Sequence, residues 1–512
     1  MAIDLPVARN VHLNPTQEEM RSWVLEHMPR ITETEFGNLN FTAQVTARLA
    51  RSTFFVADEE IHQNRISRSE FEEWAAKQDA YIADKDMILI EGYIGPDPGF
   101  QTGSRLYMET TQANIPAMQQ QLYFPKDEAW APEFTVIYTP GLPAPGKSDD
   151  RLILVDLENY VTRVFGSDYF GESKMGGLRM WNHLVFQRGG LALHSGLKAF
   201  PAETTPDGKE KVALIIGLSG TGKTTTTFRR QLESLPVQDD FIALMPGGKV
   251  YTTENGCFAK TYGLDPDDEP TIYAGTTRED AWLENVGVTD DGKVDFFDVA
   301  HTANGRSTFP LENIEHRSPV DVSAADYLLI LNRNEDLIPA VAKLEPEQIP
   351  AYFMLGETKG TSAGGAAEAG KRLRVPGTNP FFFNDDAMQG NRLMELIATM
   401  PHLEVYLMNT GRVGGTDDDD RSKKVKIPHS SAVVQGIVEG SITWEKDPDF
   451  GYLVAADLPG FDDPELLQPR RLYERQDRMD EYGEIVKRLG DERRAYLSGY
   501  EKLDPAVLAG LG

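Results

Sequence analysis

Gly217, Gly222, Lys223 and Thr224 stand in the run LIIGLSGTGKTTTTF at residues 214–228 and fit G-x-x-x-x-G-K-[ST] at every position. Those residue types at that spacing hold polyphosphate. The glycines let backbone N–H groups turn inward around phosphate oxygens. The helix that follows adds the partial positive charge of its N-terminus. Lys223 is expected to reach the β- and γ-phosphates, and Thr224 to give its hydroxyl to a divalent ion. The nucleotide-binding candidates are therefore Gly217, Leu218, Ser219, Gly220, Thr221, Gly222, Lys223, Thr224 and Thr225. The apolar VALII before the loop reads as a buried strand, and TTTTFRRQLESL after it can form a helix, which is the context the motif requires.

An ion that bridges two phosphates needs a carboxylate nearby, and Asp239 and Asp240 follow in PVQDDFIAL. An aspartate pair by itself reads as a solvated turn. Here it abuts the apolar FIAL, which favours a strand end facing the loop. Lys260 lies among small and aromatic residues, an unusual setting for a plain surface charge. Arg306 sits between turn residues in TANGRSTFP, where an arginine is well placed to grip a γ-phosphate or a carboxylate bidentately. Each of these is weak evidence alone. His194, beside an apolar run, reads by default as a core histidine. Glu269, in DPDDEP, reads by default as part of a solvated loop.

The elements that must position these residues are a mixture. Strand-like runs occur at 134–138, 152–155, 212–216, 327–331 and 405–408. Helical patterns occur near 70–77, 391–400 and 472–496, the last highly charged. Thr16 with Glu19 looks like a capped helix start. Helices and strands do not strictly alternate, so the fold class expected is mixed α/β rather than a regular doubly wound sheet. Segment 202–210, AETTPDGKE, reads as a hairpin or surface loop. The division expected is an N-terminal substrate-side domain over 1–200 and a C-terminal nucleotide-binding domain with the phosphate loop over 201–512.

Composition bounds the rest. The 512 residues are 40% hydrophobic and 26% charged, as in globular proteins of two or more domains. No apolar run is long enough to span a bilayer, and MAIDLPVARNVHLNPTQEEM lacks the pattern of a secretory signal, which points to the cytoplasm. Cys257 is the only cysteine, so an internal disulfide and a cysteine-built metal site are excluded. The formal charge of −29 disfavours nucleic acid and anionic membrane as partners. With 21 lysines and 30 arginines against 80 acidic residues, the surface resembles those that work in concentrated salt, although an ordinary acidic cytosolic protein has the same signs.

Taken together, the ordered motifs resemble the ATP-dependent phosphoenolpyruvate carboxykinase family. The phosphate loop has the family's G-L-S-G-T-G-K-T-T form at 217–225, and the aspartate pair follows. ENGCFAKT and EPTIY within 254–273, LENV at 283–286, TANGRSTFP at 302–310, YFGESKMGG at 169–177 and ALHSG at 192–196 each resemble a family motif in the family's order. The likeness is densest between about 165 and 310 and thin beyond about 350.

The resemblance implies a two-domain fold that closes over a cleft. It also implies an enzyme of gluconeogenesis converting oxaloacetate and ATP to phosphoenolpyruvate, ADP and CO2, with Mn2+ and Mg2+ as cofactors. Carried over by motif, His194 and Asp240 would hold the substrate-side metal and Thr224 the nucleotide metal. Lys223 and Arg306 would neutralise the transferring phosphoryl group, and Lys260 joins the catalytic candidates. Arg51, in LARST, would grip a substrate carboxylate, although Ala50 and Thr53 replace the flanking residues of that motif. Tyr169 would line the substrate pocket and Glu269 would sit by the ribose and triphosphate. Lys424, Val425 and Ser430 fall where the family contacts adenine. One departure stands out: Lys174-Met175 replaces two consecutive lysines, the second a metal ligand, and a thioether is a poor ligand for a hard divalent ion. Lys174, water or another side chain would then fill that position, or the substrate metal would bind weakly. Two other readings stay open: a kinase of the same fold acting on another small carboxylate or hydroxyl compound, and an ATP-binding regulator without chemistry.

Overall fold

The computed structural model describes residues 3–511 apart from 60, 62, 219, 319, 321, 323 and 361–369, so Ser219 of the phosphate loop lies outside the described residues. The chain gathers into two compact units. The first is Met1–Gln187 with Thr252–Glu315 and Phe381–Asn384, and the second is Arg188–Tyr251 with His316–Pro380 and Asp385–Gly512. The chain thus returns to the first unit after the phosphate loop, and Lys260, Glu269 and Arg306 belong to that unit, with Arg51 and Tyr169.

The first unit holds an eight-stranded mixed sheet and a five-stranded sheet. Helix Phe170–Gln187 is buried on nearly every face and packs on strands Phe134–Thr139 and Val161–Phe165. Gly176 allows that approach, because a Cβ there would stand 3.0 Å from a methyl of Val136. In the smaller sheet, strand Arg306–Pro310 lies between Gly256–Lys260 and Trp282–Glu284, both antiparallel to it. The register sets Lys260 opposite Arg306 and Arg306 opposite Glu284, so one row across three strands carries three ionisable side chains on one face.

The second unit is built on a nine-stranded sheet. Strand Leu191–Phe200 runs antiparallel to both Leu235–Leu244 and Lys211–Ile216. Lys211–Ile216, Tyr327–Asn332 and Glu404–Asn409 then follow one another in parallel. Ile215, Leu329, Met408 and other strand residues bury against Val433, Val434 and Ile437 of helix Ile427–Glu439. The phosphate loop, Arg333 and Thr410 all follow the carboxyl ends of these parallel strands, where open α/β sheets bind ligands.

The five strand runs read from sequence all form strands, and residues 202–210 connect two antiparallel neighbours. Two helix expectations need correction. The phosphate-loop helix stops at Phe228, because four threonines are weak helix formers and the chain turns through positive φ at Leu232 and Glu233. The pattern over 472–496 is two helices, Pro469–Arg475 and Met479–Ser498, split at Asp477, whose φ is 56°. Among the described residues, no helix is long and apolar enough to cross a membrane.

Candidate active site

The phosphate loop of the second unit is wound as its sequence requires. Gly220 and Gly222 have φ of 84° and 88°, a region that disfavours any side chain. Thr221 closes the turn by donating its N–H and its hydroxyl to the Leu218 carbonyl, at 3.1 and 2.8 Å. Helix Lys223–Phe228 follows at once. Lys223 Nζ donates to the Asp239 carbonyl at 3.3 Å and stands 3.6 Å from Asp239 Oδ1. Thr224 Oγ1 donates to Asp239 Oδ2 at 2.8 Å. The lysine and the threonine of the motif thus share one aspartate.

The helix lies on strand Leu191–Phe200 over Gly196, where a Cβ would come within 1.9 Å of Thr227 Oγ1. Lys198, two residues on, is fully buried and fixes the helix's far end. Its Nζ donates to the Thr226 carbonyl at 2.5 Å, to the Arg229 carbonyl, and to Gln231 Oε1 at 2.7 Å. These are carbonyls that a helix C-terminus leaves without internal partners. Burial pushes the Lys198 ammonium down to about 7, whereas the three oxygen acceptors favour its charged form.

Two residues to the other side of Gly196 stands His194, whose Nε2 lies 3.0 Å from Asp240 Oδ1. The histidine stacks on Phe241 with ring centroids 5.3 Å apart. Burial and the nearby Lys223 hold its pKa below the usual value, against the pull of Asp240. A neutral imidazole beside a carboxylate is a donor set suited to a borderline-hard divalent ion, so His194 with Asp240 fits such an ion, and Thr224 with Asp239 fits one on phosphates. Among the described residues no three His, Cys, Asp or Glu side chains converge.

A cavity open to solvent, about 140 Å3, lies against the loop. Gly220, Thr221, Gly222 and Thr225 form one wall, Val425 and Ser430 another, and Arg333 and Thr410 also line it. Lys424 is exposed and does not line it, whereas Lys426 does.

The first unit brings together a second group. Arg306 stands over the Phe258 ring at 5.1 Å and Lys174 over the same ring at 5.2 Å. Arg306 Nη2 donates to Asn304 Oδ1 at 3.0 Å, and its charge helps the buried Tyr169 phenol against the burial that raises its pKa. Burial, with Arg306 adding to it, pushes the Lys260 ammonium down to about 8. Burial pushes Glu284 up to about 8, although its Oε1 accepts from the Phe170 N–H at 2.8 Å. Lys260 Nζ, Arg306 Nε and Glu284 Oε2 have no hydrogen-bond partner among the described residues. Two cationic side chains with unspent donors beside an acid whose burial favours its neutral form make an arrangement suited to an anion.

Lys174 faces a carboxylate: its Nζ lies 2.9 Å from Glu254 Oε1, both side chains buried, so Glu254 competes with any metal ion for that amine. Met175 beside it is buried. Arg51 lies on the short turn Ala50–Ser52, exposed, with no carboxylate partner among the described residues. Glu269 precedes helix Pro270–Thr276 and is half-buried.

Sequence reasoning passed over Glu284, Glu254, Phe258, Lys198 and Arg333. Glu284 had a signal in LENV, but its meaning needed the strand register. Glu254 and Lys198 had none, because a buried charge is known only by its partner.

A family model described as phosphoenolpyruvate carboxykinase matches residues 9–464 of the chain. The chain is 28% identical over 463 residues to the phosphoenolpyruvate carboxykinase (ATP) 1 of Moorella thermoacetica, covering 86% of this chain and 85% of that one. It is 30% identical to the phosphoenolpyruvate carboxykinase (ATP) of Aeropyrum pernix, over 81% and 82% of the two chains. With that of Rhodopseudomonas palustris it shares 31% identity over 74% and 70%.

Proposed function

Because the chain belongs to the phosphoenolpyruvate carboxykinase (ATP) family, we propose that it decarboxylates oxaloacetate and passes the γ-phosphoryl group of ATP to the enolate, giving phosphoenolpyruvate, ADP and CO2. The observation that carries the residue-level reading is the shared Asp239. It holds Lys223 and Thr224 at the mouth of the phosphate loop, on the same strand as the carboxylate that meets His194.

The loop's backbone N–H groups and Lys223 take the β- and γ-phosphates, with Thr225 continuing the cradle along the helix. The cavity walls at Val425 and Ser430 take the base. The row Lys260–Arg306 takes a small dianion. Glu284, neutral, leaves the positive charge of Arg306 undiminished for that dianion, and the buried setting strengthens the attraction. Arg51 binds a carboxylate from its exposed turn, and Tyr169 fixes Arg306.

Loss of CO2 breaks a C–C bond and leaves its electron pair on the enolate oxygen, where nearby cations lower the barrier. That oxygen attacks the γ-phosphorus, and the bond to the β-phosphate oxygen breaks as ADP leaves. Lys223 neutralises charge on the oxygens in flight, so catalysis is positioning and charge compensation. Manganese at His194 and Asp240, and magnesium at Thr224 and Asp239, would supply Lewis-acid stabilisation of the enolate and phosphate charge. Met175 cannot join the first of these, and Lys174 is held by Glu254.

The test is coupled detection of phosphoenolpyruvate from oxaloacetate, ATP and manganese, with Lys223→Ala as the control. The variant should fold and lose turnover. Wild-type protein that consumes ATP on another acceptor without forming phosphoenolpyruvate would refute the assigned substrate.

A further inference from the structure

Among the described residues, the cavity beside the phosphate loop is lined by three cations, Arg229, Arg333 and Lys426, and by no carboxylate. In a chain with 80 acidic and 51 basic residues this is unexpected. None of the three belongs to an ion pair among the described residues. Their neighbours do: Arg230 pairs with Glu233, Arg412 with Asp417, and Lys423 with Asp463 and Glu465. Three cations left together without counter-charges repel one another, so the arrangement costs stability unless an anion enters.

Arg333 is the most constrained of them. It follows strand Tyr327–Asn332 directly. Its backbone is pinned on both sides: the N–H donates to Thr358 Oγ1 at 3.1 Å, and the carbonyl accepts from the Lys359 N–H at 2.9 Å. The guanidinium reaches the loop, where Nη1 donates to the Gly220 carbonyl at 3.4 Å. That bond is long, and the remaining donors of the fork have no acceptor among the described residues. Gly220 and Thr221 beside it form the loop wall of the cavity. The strand that positions Arg333 is the parallel neighbour of the strand that delivers the loop, so sheet hydrogen bonds fix one relative to the other.

We propose that Arg333 is a nucleotide-binding residue that grips the polyphosphate of ATP and ADP from the open side of the loop, with Arg229 and Lys426 supplying flanking charge. This rests on the reading of the loop as the nucleotide site. A guanidinium matches two phosphate oxygens at once and keeps its charge at every working pH. Lys223 stands at the start of the loop helix and is held by Asp239, so the two cations act on different oxygens.

Isothermal titration of ADP, tripolyphosphate and adenosine into wild type, Arg333→Gln, Arg333→Lys and Lys223→Ala tests it, with the thermal midpoint of each variant as a folding control. Arg333→Gln should bind ADP and tripolyphosphate about tenfold more weakly and adenosine within about twofold of wild type. Its ADP affinity should also depend less steeply on salt. Arg333→Lys should recover part of the loss. ADP affinity within about twofold of wild type in Arg333→Gln, or an equal loss for adenosine, would overturn the role. If Arg333→Gln does not fold, Arg333→Lys carries the test, and unaltered ADP binding there overturns it. ADP binding lost in Lys223→Ala but unaltered in Arg333→Gln leaves the loop assignment standing and removes Arg333. Binding unaltered in both removes both.

Discussion

Replacing Glu284 by Gln should make the protein more stable at pH 8 and leave it unaltered at pH 5. The buried carboxyl titrates near 8 in the folded state against an ordinary value of 4.5. Between those values the folded chain keeps a proton that the unfolded chain has lost. Stability therefore falls as pH rises through that window, by about 1.4 kcal/mol per pH unit for one group. From pH 5 to 8 the loss is about 4 kcal/mol, an order of magnitude set by complete burial. Glutamine is neutral at every pH and keeps an oxygen for the Phe170 N–H, so it removes the slope. For a unit of this size the gain corresponds to a rise on the order of 10 °C in thermal midpoint at pH 8. The assay is a thermal shift of both proteins at pH 5, 6, 7 and 8 in one salt, where all other titrating groups cancel in the difference. A wild-type-to-variant difference that stays constant across the series would refute the reasoning. So would a collapse of oxaloacetate affinity in the variant at pH 7, because Glu284 would then be acting as a charge.

Lys260, with its pKa lowered to about 8, should acylate faster than surface lysines at pH 8, and oxaloacetate should protect it; peptide mass spectrometry reads both. Lys198→Met leaves two helix-end carbonyls and Gln231 without their donor, and should cost roughly 3 kcal/mol by thermal shift and weaken ADP binding. His194→Ala should lower manganese affinity by at least about tenfold in electron paramagnetic resonance titrations while ADP binding without metal persists. Turnover and thermal midpoint should both rise between low and multimolar potassium chloride, as cations screen a formal charge of −29; a flat response refutes salt adaptation.

The turn of the phosphate loop was legible because it is local: the positive φ of Gly220 and Gly222 follows from a glycine pattern within eight residues. The central strands were legible as apolar runs. What stayed hidden depends on register. Nothing in 254–310 says that Lys260, Arg306 and Glu284 share a row, since that follows from pairing three strands drawn from separate stretches. The return of residues 252–315 to the first unit is likewise a matter of topology, which composition cannot reveal. The pattern over 472–496 overruns a break because its periodicity continues across Asp477, where the backbone takes a positive φ that no helix tolerates.

Strand Leu191–Phe200 presents His194, Gly196 and Lys198 on alternate positions, and the loop helix rests on the middle one. One extended segment thereby indexes a metal-type ligand, a seat and a clamp at intervals of two residues. A single-residue insertion between any two of them would turn the following side chain to the opposite face of the sheet. The spacing His-x-Gly-x-Lys ahead of a phosphate loop is thus a ruler that can be sought in distant chains. Where alanine replaces its glycine, the helix must have lifted from its bed.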